Sequence, residues 1–260
     1  MGLNDEIYLV LVGTGTGMPL PHRGSPCIAI RFQGHSFIFD IGPGSLRALA
    51  QLGVNFHLLE AIWITHFHPD HTADLVHFIF ATKYPKILNR RKPFLLAGPP
   101  GLENFINKVQ EAYAPYLDLP ANLYHIKELD PGEQNIFTWR NLQFKVCSTA
   151  HTQESIAIKM ETTGGKSIVY SSDTDLCEDL IELSKGSDVL ILEASFPEGQ
   201  KVQGHLTPSE AGIIAKEAGV KNLVLTHFYP ECLATDIGKA CRQNFDGQII
   251  IASDHLALRI

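Results

Sequence analysis

The sequence predicts an α+β fold in which two β-sheets pack face to face and helices cover their outer sides. The predicted strands fall into two groups along the chain, and helical segments accompany each group. Hydrophobic residues make up 45% of the 260 residues and charged residues only 19%, which supports a large core and excludes intrinsic disorder. Because a sheet must bury an apolar face against another layer, a sheet-on-sheet core with helices outside is expected. No linker, long charge run or internal repeat divides the chain, so residues 1–260 are expected to form a single domain.

The first group of strands consists of short runs rich in β-branched and aromatic residues, and segments with helical periodicity lie between them. Strands are predicted at residues 7–12, 27–32, 36–41, 61–65 and 94–97. Helices are predicted at residues 45–52, 73–83 and 102–114. This half of the chain is expected to supply one sheet and its outer helices.

The second group contains two hairpins and several buried strands. The turn pairs Arg140-Asn141 and Gly164-Gly165 divide residues 137–146 and 155–170 into hairpins. Further strands are predicted at residues 188–192, 222–225 and 248–252, with a helix near 236–244. These elements are expected to form the second sheet and its cover.

The clearest helix start in the chain is Thr207-Pro208-Ser209-Glu210. Thr207 can accept a hydrogen bond as the N-cap, proline suits the first helical position, and Glu210 completes a capping box. Gly219 is placed to end the helix. A helix is therefore predicted from Thr207 to the residue before Gly219.

The net charge and the cysteine content limit the kinds of protein to which this chain can belong. The chain has 21 Lys and Arg against 28 Asp and Glu, a net charge of −7, which argues against non-specific coating of long nucleic acid. Five widely spaced cysteines without a Cys-x-x-Cys pair fit reduced thiols. No run reaches the roughly 18 apolar residues of a membrane helix, and the first basic residue is Arg23, unlike a signal peptide. A cytoplasmic protein with no membrane partner is expected.

The residues that carry chemistry begin directly after the predicted strand 61–65. His66, His68, Asp70 and His71 place three imidazoles and a carboxylate within six positions. Imidazole and carboxylate suit Zn²⁺ and similar divalent ions. Alternate residues beyond a strand end can point the same way, so His66 and His68 can share one ion while Asp70 and His71 turn toward a neighbouring site. The segment predicts a metal centre.

Four residues cannot complete two metal sites, so further ligands are expected at other strand ends. His151, Asp173 and His227 each stand within a few residues of the end of an apolar strand. Taken alone, a loop histidine or aspartate is usually a solvated surface group. Their repeated placement after strands makes them candidate ligands.

The motif His66-x-His68-x-Asp70-His71, followed by these three residues in order, resembles the metallo-β-lactamase superfamily over nearly the whole chain. The resemblance implies a four-layer αββα sandwich and a dinuclear metal site. It assigns His66, His68 and His151 to one metal, Asp70, His71 and His227 to the other, and Asp173 to a bridge between them.

Within that superfamily, the chain looks like the ribonuclease Z and phosphodiesterase branch. The similar motifs are Gly13-Thr14-Gly15-Thr16-Gly17, Asp40-Ile41-Gly42-Pro43-Gly44, Ser172-Asp173-Thr174 and Gly204-His205-Leu206-Thr207. Where ribonuclease Z has His-Glu-Ala-Thr, this chain has Leu192-Glu193-Ala194-Ser195, so the glutamate is kept and the histidine is lost. Only 22 positions separate His151 from Asp173, which leaves no room for the tRNA-gripping arm of many ribonucleases Z.

The hypothesis that follows is a two-metal phosphodiesterase acting on small or nucleotide-derived phosphodiesters. Two divalent ions, Zn²⁺ first and Mn²⁺ or Fe²⁺ as alternatives, would share a hydroxide that attacks phosphorus. Asp70 would also orient the nucleophile. His205, held by Glu193, would face the phosphate as a cation or as the acid that protonates the leaving oxygen. Long nucleic acid is not an expected partner, and a homodimer is left open.

Three alternatives stay open. One is a ribonuclease Z-type RNA endonuclease, whose main support is a basic cluster of Lys83, Lys86, Arg90, Arg91 and Lys92. Another is a lactone or thioester hydrolase that uses the same dinuclear site. The last is a non-hydrolytic metal-binding or redox protein, against which His68 and His71 argue, because a di-iron redox centre favours more carboxylates.

Overall fold

The computed structural model describes residues 5–83, 92–132 and 136–260. Its strands form two seven-stranded sheets that pack face to face, with helices on both outer sides. This confirms the predicted α+β, four-layer αββα arrangement. Lys86, Arg90 and Arg91 of the basic cluster lie outside the described residues. Within the described ranges, no helix is long and apolar enough to cross a membrane.

The first sheet combines the N-terminal strands with the last strand of the chain. Its strands are β1 (Ile7–Gly13), β2 (Cys27–Phe32), β3 (His35–Phe39), β4 (Ala61–Trp63), β5 (Phe94–Gly98), β6 (Tyr124–Glu128) and β14 (Leu256–Arg259). Their order is β14-β1-β2-β3-β4-β5-β6. The pairs from β14 to β3 are antiparallel, and those from β3 to β6 are parallel.

The second sheet mirrors this arrangement. Its strands are β7 (Phe137–Trp139), β8 (Leu142–Ser148), β9 (Ile156–Thr162), β10 (Ser167–Tyr170), β11 (Val189–Glu193), β12 (Asn222–Thr226) and β13 (Gln248–Ile251). Their order is β13-β12-β11-β10-β9-β8-β7, parallel from β10 to β13 and antiparallel from β7 to β10. Both predicted hairpins form, and Arg140 and Asn141 take φ of 52° and 62° in the first turn.

The helices lie in two outer layers. They are α1 (Ser45–Gln51), α2 (Pro69–Thr72), α3 (Asp74–Lys83), α4 (Leu102–Ala112), α5 (Glu178–Ser184), α6 (Pro208–Ala218), α7 (Pro230–Leu233) and α8 (Ile237–Cys241). The capping box of α6 forms as predicted, and Gly219 ends that helix at φ 61°. The sequence missed β6, β14, α2, α5 and α7, which are short and are stabilised mainly by pairing or packing against distant segments.

Three apolar layers hold the sandwich together. Between the sheets, Trp63 stacks on Phe144 with ring centroids 3.8 Å apart, and Phe39 stacks on Tyr170. A second layer lies between the first sheet and α1, α3 and α4, and a third lies between the second sheet and α5, α6 and α8. Burial of apolar area is the main force that fixes the two sheets against each other.

The sheets are tied together where their parallel strands end. Ile156 N–H donates to the Thr65 carbonyl oxygen at 3.0 Å, and Thr65 Oγ1 lies 2.7 Å from Ser172 Oγ. Thr65 follows β4 of the first sheet, and Ser172 follows β10 of the second. Because carboxyl ends of parallel strands meet at one edge of a sheet, the loops that follow them are brought together here.

Candidate metal centre

The seven candidate ligands come from four loops at this edge. His66, His68, Asp70 and His71 lie between β4 and the end of α2, and His151 lies between β8 and β9. Asp173 follows β10, and His227 follows β12. The fold therefore collects in one place residues that are up to 161 positions apart in the sequence.

The Asp173 carboxylate lies between two sets of imidazoles. Its Oδ2 lies 3.9 Å from His66 Nε2 and 3.7 Å from His151 Nε2. Its Oδ1 lies 3.4 Å from His71 Nε2 and 3.3 Å from His227 Nε2. One oxygen thus faces each set, which is the arrangement a bridging carboxylate needs.

The remaining candidates complete the two sets. His68 Nδ1 lies 3.1 Å from His151 Nε2 in the first set. Asp70 Oδ2 lies 3.7 Å from His71 Nε2 and 3.6 Å from His227 Nε2 in the second. Three groups of side chains could hold a metal ion: His66, His68, His151 and Asp173; Asp70, His71 and His227; and Asp173, His205 and His227. The first two divide the histidines as the resemblance implied.

Four buried atoms in this cluster make no hydrogen bond within the described structure. They are Nε2 of His66, His71 and His227, and Oδ1 of Asp173. A buried polar atom without a partner costs free energy of about 1–3 kcal/mol, so four of them converging on one point call for a bound partner. Nitrogen and carboxylate donors in this number fit a pair of divalent ions.

In three of the five candidate histidines, the other ring nitrogen makes a hydrogen bond to a specific group. His71 Nδ1–H donates to Asp40 Oδ2 at 2.7 Å, and His151 Nδ1–H donates to the Gly204 carbonyl at 2.9 Å. His227 Nδ1–H donates to Ser195 Oγ at 2.9 Å. Because Nδ1 carries the proton, the Nε2 lone pair is the one available to a metal.

Asp40 accepts hydrogen bonds from several of the groups that orient the candidate ligands. It is fully buried, and its carboxylate also accepts hydrogen bonds from Thr65 N–H at 2.9 Å and from the Tyr170 hydroxyl at 3.0 Å. Thr65 Oγ1 donates to the same carboxylate and lies 3.1 Å from His66 Nδ1. Asp40 therefore orients His71 directly and His66 through Thr65.

Backbone strain is concentrated around the same centre. Asp40, Ser172 and His227 adopt φ of 54°, 55° and 59°, in the left-handed region that disfavours residues with a Cβ. Nearby, a Cβ on Gly42 would lie 1.8 Å from the Asp70 carbonyl oxygen, so only glycine lets this loop pass beneath the ligand segment. The fold maintains these conformations because the surrounding hydrogen bonds require them.

The charges of the cluster shift several pKa values when no metal is bound. Burial, together with the charge of His71, lowers the pKa of His66 well below 6.5. Burial also opposes the charging of His71, but Asp173 and Asp40 outweigh it and raise the pKa of His71 well above 6.5. Metal binding must displace that proton, so loading of the centre releases protons and weakens as the pH falls.

His205 and Glu193 form a pair beside the cluster. The buried Glu193 carboxylate accepts from His205 Nδ1–H at 3.0 Å and from Thr174 N–H at 2.7 Å. Burial lowers the pKa of His205, but the hydrogen bond and charge of Glu193, with the nearby aspartates, outweigh it and raise the pKa to about 9. In the metal-free protein His205 is therefore largely protonated at neutral pH, and its Nε2 is free of Glu193.

A comparison with protein-family models identifies the chain. A family model described as anti-Pycsar protein Apyc1 matches residues 7–247. The chain belongs to this family.

Relatives of this Apyc1-family chain include ribonucleases Z. That of Brevibacillus brevis is 28% identical over 274 aligned positions, which cover 86% of each chain. That of Streptomyces avermitilis is 28% identical over 292 positions, which cover 97% of each chain. The branch suggested by the sequence motifs is thereby confirmed, and the chain is a metal-dependent hydrolase.

Solved structures show the same architecture. The metallo-β-lactamase fold protein YhfI from Bacillus subtilis superposes with a TM-score of 0.87 at 24% identity, covering 98% of this chain and 100% of YhfI. The short form of human tRNase Z superposes with a TM-score of 0.79 at 25% identity, covering 96% of this chain and 98% of the human protein. The metallo-β-lactamase fold is thereby shown.

The sequence did not reveal how the loop that carries His205 is held in this Apyc1-family chain. Lys201 Nζ donates to Asp175 Oδ1 and to Glu210 Oε2, each at 2.6 Å. Asp175 Oδ2 accepts from Gly204 N–H at 3.1 Å, and the Gly204 carbonyl accepts from His151 Nδ1–H. Lys201 thus connects the loop after β10 to α6 and fixes the peptide that orients His151.

Replacing Lys201 with methionine should weaken metal binding roughly threefold and lower kcat, because Asp175, which holds the Gly204 peptide, loses its own partner; loss of a direct partner of a metal ligand costs about 10–100-fold, and Lys201 lies two contacts further away. Competition with a chromogenic chelator measures the metal affinity. Lys221→Met is the matched control, since Lys221 Nζ makes an equally short 2.6 Å contact, with Asp188, at the other end of the strands. Equal losses in both variants would contradict the anchoring role.

Proposed function

We propose that this protein is a dinuclear metal-dependent phosphodiesterase acting on small or nucleotide-derived phosphodiesters. The observation that carries the proposal is the convergence of four buried atoms that make no hydrogen bond, three imidazole Nε2 atoms and Asp173 Oδ1, with His205 held by Glu193 beside them. An anion at this point would meet both the metals and a fixed cation. A phosphodiester carries a negative charge throughout its hydrolysis, so this environment suits it better than a neutral ester or lactone.

We assign His66, His68 and His151 to one ion, Asp70, His71 and His227 to the other, and Asp173 to both. Two Zn²⁺ ions, or Mn²⁺ or Fe²⁺ in their place, would activate a water near neutral pH and polarise the phosphoryl oxygen. Asp70 lies at the rim of its set with its side chain 16% exposed, so its carboxylate can also orient an incoming water.

We assign His205 to contact the phosphate group of the substrate. Since Nδ1–H is used by Glu193, Nε2–H is the group that can donate to a phosphate oxygen or transfer a proton to the leaving oxygen. Glu193 is fully engaged: besides His205 and Thr174 it accepts from Ser195 Oγ and from Leu206 N–H. It therefore acts as a rigid holder that keeps His205 charged and oriented.

The preference for small substrates rests on charge and on the length of one hairpin. The net charge of −7 opposes extended polyanions, and two divalent ions would bring it to −3 with the gain confined to this cleft. Between His151 and Asp173 the chain forms only the short β9–β10 hairpin. A small diester would interact mainly with the metals and His205.

A ribonuclease Z activity is the second candidate. It is favoured by the two relatives described above, which are both named ribonuclease Z. The alignments with this chain cover 86% and 97% of their lengths. It requires the protein to grip a long, highly charged RNA, and the basic cluster that could do so is described only at Lys83 and Lys92.

A panel assay with the metal-loaded protein distinguishes these functions. We expect hydrolysis of bis-p-nitrophenyl phosphate and of cyclic nucleotides, little cleavage of a precursor tRNA, and none of a lactone. Treatment with a chelator should abolish the activity, and Zn²⁺ or Mn²⁺ should restore it. Cleavage of precursor tRNA far faster than of small diesters would establish the second candidate. Activity confined to the lactone would overturn the phosphodiesterase assignment.

A further inference from the structure

The short connection between β13 and β14 carries an aspartate, Asp254, that has no part in the proposed reaction. This connection crosses from the second sheet to the first. The Asp254 carboxylate contacts the loop between β1 and β2, residues 14–26, which lies 230 to 240 positions earlier in the chain. Its Oδ1 accepts from Thr14 N–H at 2.9 Å and from the Thr14 hydroxyl at 2.6 Å, and its Oδ2 accepts from Gly24 N–H at 2.6 Å. One carboxylate thus holds both ends of the β1–β2 loop.

An arginine of the loop, Arg23, strengthens this attachment. Its Nη1 donates to Thr14 Oγ1 at 2.6 Å and to the Ala252 carbonyl at 2.9 Å. Its guanidinium also lies 5.0 Å from the centre of the Phe228 ring, which is fully buried. The Thr14 hydroxyl therefore connects a carboxylate to a guanidinium. Because hydrogen bonds to charged groups are stronger than neutral ones, these contacts fix the position of the loop.

The first end of the β1–β2 loop is connected to the candidate ligand His227. Phe228 N–H donates to the Thr14 carbonyl at 3.2 Å, so Thr14 links Asp254 to the peptide that follows His227. His227 takes φ of 59°, a conformation that a histidine keeps only when its surroundings require it. A displacement of Thr14 would therefore move the backbone of this ligand.

The middle of the same loop lies against the candidate ligand Asp70. A Cβ on Gly17 would lie 3.6 Å from Asp70 Oδ2, so the backbone of the loop passes directly beside this carboxylate. Gly17, Arg23 and Asp70 also line one cavity of about 510 Å³. Gly15 N–H donates to the Gly24 carbonyl at 2.8 Å, which ties the two sides of the loop together. Holding the ends of the loop therefore also holds the part that borders Asp70.

Both connections lead to the second ligand set, to which Asp70 and His227 are assigned. Among the described residues, the hydrogen bonds of the Asp254 carboxylate and of the loop arginine reach no candidate ligand of the first set. That set is oriented from elsewhere, for example by the Gly204 carbonyl, which accepts from His151 Nδ1–H. A change at Asp254 should therefore affect one ion and spare the other.

We propose that Asp254 is a positioning residue for the second metal ion and acts through the β1–β2 loop on Asp70 and His227. Asp254 is not itself a ligand, because its two oxygens are used by Thr14 and Gly24. The inference rests on the proposed dinuclear function, which it deepens by naming what keeps one of the two ions bound.

Titration of the metal-free protein with Zn²⁺ in competition with a chromogenic chelator tests this inference without relying on turnover. In Asp254→Asn, the amide nitrogen faces the N–H of Thr14 or that of Gly24 whichever way the side chain turns, so one end of the loop is released. We expect one of the two Zn²⁺ affinities to fall about fivefold and the other to stay unchanged. Losing a direct partner of a ligand costs about 10–100-fold, and Asp254 lies further away. Equal loss at both ions, or at neither, would overturn the inference.

The Lys201→Met variant identifies which ion is affected. Lys201 leads to His151 of the first set through the Gly204 peptide. The Lys201 and Asp254 variants should therefore weaken the binding of different ions. Weakening of the same ion by both variants would overturn the assignment of Asp254 to the second set.

The Thr14 hydroxyl provides a test that does not depend on the stability of the Asp254 variant. Thr14→Val keeps the size of the side chain but removes its hydrogen bonds to Asp254 and Arg23, so the same Zn²⁺ affinity should fall. Thr14→Ser keeps the hydroxyl and should bind both ions as the original protein does. Unchanged affinities in Thr14→Val, or an equal loss in Thr14→Ser, would overturn the role of this network.

Asp188→Asn is the matched control for a purely structural effect. Asp188 Oδ2 accepts from Ser167 N–H at 2.8 Å, and Oδ1 accepts from Lys221 Nζ at 2.6 Å, at the other end of the strands. This variant should lower the Tm of the metal-free protein and leave both Zn²⁺ affinities unchanged. A selective loss of one ion here as well would overturn the inference. Failure of the proposed function would appear separately, as absence of diester hydrolysis by a protein that binds two ions.

Discussion

Replacing Asp173 with asparagine should remove metal from both sets and lower kcat/KM on a phosphodiester about a thousandfold. Among the described residues, Asp173 is the one side chain whose two carboxylate oxygens face separate groups of imidazoles. Asparagine keeps the shape but offers no negative charge and only one oxygen. Metal-ion catalysis supplies several kcal/mol of transition-state stabilisation, and each 1.36 kcal/mol is a factor of ten in rate.

Metal analysis and thermal unfolding measure this effect independently of turnover. Zn²⁺ should raise the Tm of the original protein and leave that of the variant nearly unchanged, because only a bound ligand shifts the folding equilibrium. Asp188→Asn is the matched control: its carboxylate is also largely buried and accepts from Ser167 N–H at 2.8 Å, but away from the metal centre. An Asp173 variant that retains two metals and its activity would refute the bridging assignment.

The architecture could be predicted because the patterns that determine it lie within short segments of the sequence. Apolar runs bounded by turn residues define most of the strands, and the alternation of strand and helix predicts the layers. The strands that were not predicted, β6 and β14, form through pairing with other strands. In β6 the sequence Tyr-His-Ile-Lys-Glu is half-polar and pairs only with β5, and β14 exists because Leu256–Arg259 pairs with β1, nearly 250 positions away.

The metal centre likewise combines ligands that are close in the sequence with ligands that only the fold brings together. His66, His68, Asp70 and His71 were detectable because four ligand-type residues crowd one strand end. The three more distant candidates could be grouped only through the order of motifs in the resemblance. Their role as ligands stays a prediction, although the structure brings their side chains together.

Apart from Glu193, which was expected to hold His205, the supporting residues were not assigned from the sequence. Asp40 was noted in a glycine-rich motif, but its hydrogen bond to His71 spans 31 positions and depends on a left-handed backbone. The contacts of Lys201 with Asp175 and Glu210 also arise from the packing of separate loops. One available signal was Asp175 itself, a second aspartate two positions after a candidate ligand.

His205 has two conceivable roles, and its surroundings decide between them. Its ring lies close enough to Asp173 and His227 for the three to form a metal-binding group. Since both ligand sets are complete without it, we expect His205 to bind the phosphate and not the metal.

Replacing His205 with alanine should therefore leave the metal content unchanged and lower kcat about 100- to 1000-fold, the usual cost of losing one donor aimed at developing negative charge. The loss should be greater on alkyl or nucleoside diesters than on bis-p-nitrophenyl phosphate, because p-nitrophenolate leaves without needing a proton. Metal analysis and kinetics on both substrate types provide the measurement.

The control for this variant is a second histidine–carboxylate pair in the same protein. His35 Nδ1 lies 2.9 Å from Glu60 Oε1, close to the 3.0 Å of the His205–Glu193 pair, but on the first sheet away from the metal centre. His35→Ala should keep full activity. If His205→Ala instead loses metal, His205 is a ligand; if its turnover of a poor leaving group is unchanged, it has no role in the reaction. Only retained metal with lost turnover fits a cation held by Glu193 against the phosphate.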